Sequence, residues 1–552
     1  VAHRALALLP LALSLLGCAG RPERAEPEPT RVHERIISDA GAARLDELLA
    51  RDWQQAEVTP SPEVDDAEFL RRVTLDLVGR IPTRDEVDHF LASRETDKRA
   101  QLVDRLLASE AFAEHWARQW TDLLLPGDQK SEKLAREPLE RHLAASLAAG
   151  RGWDRVVADL LASEGELAER PELAYLAARG RGADKPERLA ELASTSSRVF
   201  LGSRIECAQC HDHPYASDFS QDDFWSTVAL FGRMQIAIER KEKPPTVRVS
   251  ERSRGELRLA LGMAGANADE VDPRKRPIAP SFLGEPIADA QDQSRREQLA
   301  ALIVDDPRFA AATVGLIWTR LFGRGIVEPW DDLLGRDPSS YPPALALLGE
   351  QLRAADFDLR LVIRTIVLSE AYQRSSTPAD AGTDTKVAEA RRVAAETHFA
   401  RASVRGLSAE QLFESLRVAT GLDEVEDRAF AKAVQQRERQ AMREYAFVFG
   451  DDEMAGSDAF TGSVPQALLL LNGGVTNQAV RRRPGSKVDE LLALDDVEAA
   501  IEALWRSTYA RDPSLEERAW ARGALGPDVD DPAAWEDLLF AMLQSTEFTS
   551  NH

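Results

Sequence analysis

Two of the three cysteines in the 552-residue chain fall within Cys207-Ala208-Gln209-Cys210-His211, and Asp212-His213-Pro214 follows at once. Two thiols separated by two residues, with a histidine directly after the second, form the spacing that attaches haem c. The reason is chemical: both vinyl groups of one haem can be captured as thioethers while the adjacent imidazole sits under the iron as proximal ligand. His211 would bind neutral, through one ring nitrogen, so its other N–H needs an oriented acceptor. The same residues permit two other chemistries. Cys207 and Cys210 could close a small disulfide or act as a redox dithiol, although the β-α-β setting of a thioredoxin is absent. Cys207, Cys210, His211 and His213 could also hold zinc, which takes sulfur and imidazole, but ligands so close in sequence strain a tetrahedron. Haem is the first reading, the disulfide the second and the metal the third.

His213 lies only two residues beyond His211 and cannot cross to the opposite face of a haem. A sixth ligand would come from a distance, from His115, His142, His398, Met234 or Met263, and a vacant sixth site is the equal alternative. His115 is carried as the distal candidate, against the competing role of a hydrogen-bonded core histidine. Phe200, Phe219, Phe224, Trp225 and Phe231 flank the motif and would either wall a haem or pack a core.

The third cysteine has a different context. A short basic start is followed by ALALLPLALSLLG, an apolar run too short to span a bilayer, so residues 1–17 read as a secretion signal. Leu15-Leu16-Gly17-Cys18-Ala19 resembles the lipobox of bacterial lipoproteins, which makes Cys18 the expected lipid anchor; an N-terminal helix with a buried cysteine is the alternative. Residues 18–35, rich in Pro and Glu, form an extended tether in this reading. Ala19, not an aspartate, follows Cys18, and this favours a periplasm-facing lipoprotein of the outer membrane. Export agrees with haem c, which is attached outside the bacterial cytoplasm.

Composition narrows the remaining classes. A content of 43% hydrophobic and 29% charged residues excludes a polytopic membrane protein, a collagen-like fibre and a wholly disordered chain. A formal net charge of −24 repels phosphate backbones, so nucleic acid is not an expected partner. G-x-S-x-G, H-E-x-x-H, Walker and G-x-G-x-x-G signatures are missing. Asp305-Asp306 and Asp331-Asp332 are expected to cap helices.

The elements that must position the motif are mainly helical. Phe69, Leu70, Val73 and Leu77 share one face, and Thr83 with Glu86 fits a capping box. Ser109 can cap a helix whose Phe112, Trp116, Trp120 and Leu123 form an aromatic stripe, read as core. Alternation at 246–250 and 255–259 marks a small β-rich insert over 234–285. Its short strands and few apolar residues make it an elaboration packed on its neighbours, not an independent domain. The apolar segments around Phe224-Trp225 and Trp318-Leu321 would then meet in a shared core. Asp306-Pro307 should open a helix ending near Gly323, with others over 342–354, 359–372, 408–420, 464–480, 486–506 and 534–545 and a charged stretch at 376–402. The fold class is mainly α, with helical domains at 36–233 and 286–552.

Several long blocks then carry a family likeness. FLRRVTLDLVGRIPTRDEV at 69–87, DKRAQLVDRLLASEAFAEHWARQW at 97–120 and FLGSRIECAQCHDHPY at 200–215 lie in the first half. WTRLFGRGIVEPWDDL at 318–333, FDLRLVIRTIVLSEAYQRSS at 357–376, LSAEQL at 407–412, VPQALLLLNGG at 464–474 and LLFAMLQSTEFTSNH at 538–552 lie in the second. Together they resemble a paired-domain family abundant in planctomycetes, a cytochrome-c-associated domain of unknown function followed by a planctomycete-specific domain of unknown function. The resemblance implies an exported, mainly helical protein. Its relatives are often encoded beside secreted sulfatase-like proteins, which points toward polysaccharide or envelope processing. The leading expectation is a lipoprotein bearing one haem c for electron transfer or a redox step, with a sulfatase-like or redox protein as partner and the membrane as support. A non-redox envelope or polysaccharide-binding protein with a Cys207–Cys210 disulfide is the alternative, and a metal-dependent hydrolase the third.

Overall fold

A computed structural model describes residues 29–126, 129–183, 185–239, 246–259, 277–287, 293–378, 385–425, 430 and 474–552. Cys18, Met263 and most of the helix expected at 464–480 lie outside these residues. Among the described residues there are 22 α-helices, and the sheets have only two or three strands, so the fold is mainly α as expected. No described helix is long and apolar enough to cross a membrane.

Local sequence signals set most helix ends. The Thr83 hydroxyl accepts from the Glu86 N–H while the Glu86 carboxylate accepts from the Thr83 N–H, closing the expected capping box of Arg84–Ala92. Ser109 caps Glu110–Leu124, and its aromatic stripe is buried. Asp306 and Pro307 start Pro307–Phe322, which stops at Gly323 in the left-handed region. Two expected helices are shorter than read. The one at 359–372 ends at Val367, beyond which the Ser369 hydroxyl bonds back to the Ile366 carbonyl. The stretch 486–506 breaks into Lys487–Leu492 and Val497–Tyr509, because Asp496 accepts from the Glu498 N–H and opens a new N-terminus. Inside the charged stretch, Thr385–Thr397 is helical, with Arg392 paired to Glu389 and Glu396.

The insert is woven into the helical part. Strand Thr246–Glu251 pairs antiparallel with Met234–Glu239 on one side and with Gly165–Glu166, far back in the first helical segment, on the other. Its alternation turns Val247 and Val249 inward, where they join the main core with Leu257, Leu259, Ile278 and Phe282. Arg296 is buried beside them, donating to Glu251 and to the carbonyls of Leu161 and Ser163. The insert therefore packs on its neighbours, and the first helical segment adds a two-residue strand to its sheet.

Among the described residues two large hydrophobic cores form, with a small third cluster at Leu416, Leu422 and Ala479, and they do not divide at the insert. The larger runs from Leu45 to Ala400, joined by Ala510, and includes Phe224, Trp225, Trp318 and Leu321, the shared core expected from sequence. The smaller gathers Leu412, Phe413, Trp505, Trp535 and Phe548. Helix Asp66–Val78 feeds both, with Phe69, Val73 and Leu77 in the larger and Leu75 in the smaller. Every residue from Phe69 to Val78 is buried, although the sequence suggested a single apolar face. Its buried charged members find partners in remote segments, Arg71 through its two Nη groups and not through Nε. Arg71 donates to the carbonyls of Thr508, Glu547, Phe548 and Ser550. Arg72 reaches those of Tyr372, Arg374 and His552 as well as the Glu68 carboxylate. Asp76 accepts from the Tyr372 hydroxyl, the Arg405 guanidinium and the Asn551 amide.

Burial lowers the Arg71 pKa to about 10, so the guanidinium keeps its proton at neutral pH. Arg71→Met would leave three buried carbonyls and one half-buried carbonyl without their donor, and a loss of at least about 3 kcal/mol is expected in denaturant unfolding. Arg71→Lys should recover only part of it, having donors but no planar fork. Amide exchange would show where the damage begins: the Leu407 N–H, bonded to the Thr549 carbonyl, should lose protection first.

Candidate functional site

Helix Pro186–Leu201 leads into the motif and ends at Gly202, whose φ is +57°. A Cβ there would lie 2.8 Å from Leu333 Cδ1, so glycine is required by the turn and by the close approach of the second half. Residues Glu206–Gln209 then form one 3-10 turn. Ile205 and Ala208 point inward with no exposed surface, and this leaves Cys207 and Cys210 outward as exposed free thiols. The turn is fastened to helix Gln221–Val228, because the Gln209 carbonyl accepts from Gln221 Nε2 (2.9 Å) and Trp225 Nε1 (3.3 Å). Asp212 caps the same helix, its Oδ1 accepting from the Gln221 N–H at 3.0 Å.

His211 is exposed, and its Nδ1 donates to the Asp212 carbonyl at 2.7 Å. In the neutral ring this leaves the lone pair on Nε2, the arrangement that an iron-ligating histidine needs. The donor set therefore fits a covalently attached haem: Cys207 and Cys210 would form the thioethers and His211 would be the proximal ligand.

The other sequence candidates turn out differently. His213 Nδ1 accepts from the N–H groups of Ala216 (2.9 Å) and Tyr215 (3.3 Å), so Nε2 carries the hydrogen and donates to the Arg204 carbonyl at 3.0 Å. Both nitrogens are spent on backbone, so His213 is a loop clamp and not a metal donor. Among the described residues, no three His, Cys, Asp or Glu side chains gather as a metal site would require. His115 is also misplaced for a distal ligand. It is buried between helices, 3.5 Å from Glu410 and bonded to the Gln119 amide, away from the exposed face that bears His211. Burial pushes the Glu410 carboxyl up, yet His115 and Arg118 beside it outweigh this and hold it below the usual range. His142 lies beside Glu172, His398 is bonded to Asp52, and Met234 is buried in its strand. Phe200, Phe219, Phe224, Trp225 and Phe231 are all buried in the larger core, which decides between wall and packing in favour of packing. The exposed aromatic at the motif is Tyr215.

One residue that sequence reasoning misassigned holds the loop in place. Asp331 caps no helix; it is 1% exposed, and its Oδ1 accepts from Arg204 Nε (2.8 Å) and Nη2 (2.6 Å) while Arg198 approaches Oδ2. Asp332 pairs with Arg336 instead of capping. A signal existed in the sequence, since a cap needs a helix after it and Leu333-Leu334-Gly335 does not begin one. Asp306, by contrast, does cap as expected.

Replacing His213 by Phe keeps a ring but removes three hydrogen bonds. The expected result is local: amides of Tyr215 and Ala216 exchange faster by an amount equivalent to about 1–3 kcal/mol, with helical content by circular dichroism unchanged.

Comparison with known families closes the description. The family described as PSCyt2, Protein of unknown function (DUF1549), matches residues 44–236, and PSD1, Protein of unknown function (DUF1553), matches residues 295–525. No curated protein and no solved structure matches the chain. Both matches stand in the order expected from the sequence blocks, the insert falls between them, and the chain therefore belongs to the paired-domain family in which a PSCyt2 domain precedes a PSD1 domain.

Proposed function

We propose that the chain carries one haem c on Cys207, Cys210 and His211 and serves electron transfer or a redox step at the cell envelope. The observation that carries this reading is the hydrogen bond from His211 Nδ1 to the Asp212 carbonyl, beside two exposed free thiols. When bound, the haem would supply one-electron exchange at its iron. The chain's own residues divide the remaining work. Cys207 and Cys210 present their thiols on one tight turn, His211 is oriented by its second-nitrogen bond, and His213 fixes the chain on which all three stand. Exposure of the turn favours exchange with a partner that meets this face, because electron transfer needs an accessible edge and not a deep cleft.

The surrounding proposal is of an exported lipoprotein anchored through Cys18 to the outer membrane and facing the periplasm. Its partner would be an envelope redox protein or a secreted sulfatase-like enzyme, in line with the resemblance above. The zinc hydrolase reading finds no support in the donor set, since His213 is occupied by backbone on both sides.

Expression with a haem-c maturation system should give a pyridine haemochrome and a polypeptide heavier by one haem. Cys207→Ala or Cys210→Ala should sharply lower covalent haem, and His211→Ala should change the axial-ligand bands of the visible spectrum even where attachment survives. Absence of haem mass in properly matured protein would refute the proposal, and a mass two hydrogens below the reduced chain would establish the disulfide in its place. Separately, Cys18→Ser should move the protein from the membrane fraction to the soluble one; a mutant that still sediments unprocessed would overturn the anchor.

A further inference from the structure

We propose that Asp331, in the PSD1 half, is a positioning residue for the Cys207–His211 motif in the PSCyt2 half, acting through Arg204 and His213. Arg204 lies between the two in a literal sense. Its side chain gives two hydrogens to Asp331 Oδ1, and its backbone carbonyl accepts from His213 Nε2. Residues 204 and 213 thus close a loop, and the whole motif lies inside it. The His213 backbone N–H closes a second tie, to the Phe219 carbonyl at 2.9 Å. Segment 202–204 is gripped at the main chain too, by the Leu333 N–H on the Gly202 carbonyl (2.8 Å) and by the bridge between Ser203 and Asp332.

Charge makes Asp331 the determining member. Its side chain is 2% exposed, whereas those of Arg198 and Arg204 are 30% and 33% exposed. A carboxylate so far from water is held only while both arginines face it, and they in turn are held in one orientation by it. An asparagine of the same shape keeps one acceptor but not the charge, so Arg204 would be free to turn toward solvent. The motif turn would then lose its fixed end while the helices beneath it stayed packed. The consequence for haem rests on the reading above, but the loop geometry does not.

The experiment compares full-length chains carrying Asp331→Asn, Arg204→Met, Asp331→Glu or, as control, Asp332→Asn. Without haem and with thiols reduced, amide exchange is measured at Ala208 and His213, whose N–H groups are bonded to the Ile205 and Phe219 carbonyls. Asp331→Asn and Arg204→Met should speed exchange at both by about tenfold, Asp331→Glu should restore part of the difference, and Asp332→Asn should match wild type. Amides of helix Asp66–Val78 should not change. In the haem-loaded chain the same two variants should shift the midpoint potential. Unchanged rates in Asp331→Asn, or equal acceleration throughout the molecule, would overturn the positioning role. A chain that takes no haem but shows the expected exchange rates would refute the haem reading and leave the positioning role standing.

Discussion

Burying two arginines and an aspartate on one helix is the constraint from which the rest of this architecture follows. Arg71, Arg72 and Asp76 stand on a helix whose ten residues from Phe69 to Val78 are all inaccessible to water. Taking such groups out of water costs several kcal/mol each unless every donor and acceptor is met. Here every donor and acceptor of the three except Arg71 Nε is met, and the partners come mostly from remote parts of the chain: residues 372–374, Arg405, Thr508 and the segment 547–552. Those segments have to be brought in and held, or the helix cannot be buried. The smaller core, built from Leu412 through Phe548, is consequently docked on a helix that also belongs to the larger one. Specific polar contacts set the register of the two cores, and apolar area alone would not.

The same logic recurs at the motif on a smaller scale. An arginine of the first matched family, Arg204, meets a buried carboxylate of the second, Asp331, and neighbouring main chain is bridged beside them. Helix Pro186–Leu201, which delivers the motif, packs against helix Pro307–Phe322 of the other half. The boundary between the two families in sequence is therefore not a boundary in the fold. Neither half presents a finished surface at this place, because the glycine turn at 202 is shaped by Leu333 and the loop after it by Asp331.

What could be read from sequence was what is decided locally. Thr83, Ser109 and Asp306 cap helices because the residues two or three positions onward supply the N–H groups, and no tertiary knowledge is needed. The aromatic stripe of Glu110–Leu124 is core for the same reason, as its spacing alone defines a face. Arg71, Arg72 and Asp76 escaped because a charge beside an apolar stripe ordinarily faces water, and only distant segments reverse that. His213 escaped because its type and place suggested a ligand, whereas its three side-chain bonds depend on a turn that the sequence does not announce. Asp331 was misread because an acidic pair suggests a helix cap, and its true partner lies 127 positions earlier.

Under the proposed haem attachment, the need for two cysteines follows from where the aromatic residues went. A haem held by packing alone needs apolar walls over much of its surface, as small-molecule sites generally do. Around this motif Phe200, Phe219, Phe224, Trp225 and Phe231 are between 0% and 4% exposed, each already committed to the core that supports the turn, while Tyr215 at 90% exposure is a single ring on the surface. Freeing any of the five to line a pocket would cost the packing that makes the turn rigid, about 3–5 kcal/mol for a large aromatic. On the haem reading, covalent bonds take over the task that walls perform elsewhere. Cys207 and Cys210 would hold the group at two points, His211 would set the iron, and the buried aromatics would act from beneath by keeping the three in place. A site of this kind trades enclosure for accessibility, and its precision has to come from the backbone. The hydrogen bonds of His213 and the ion pair of Asp331 are the contacts that hold that backbone.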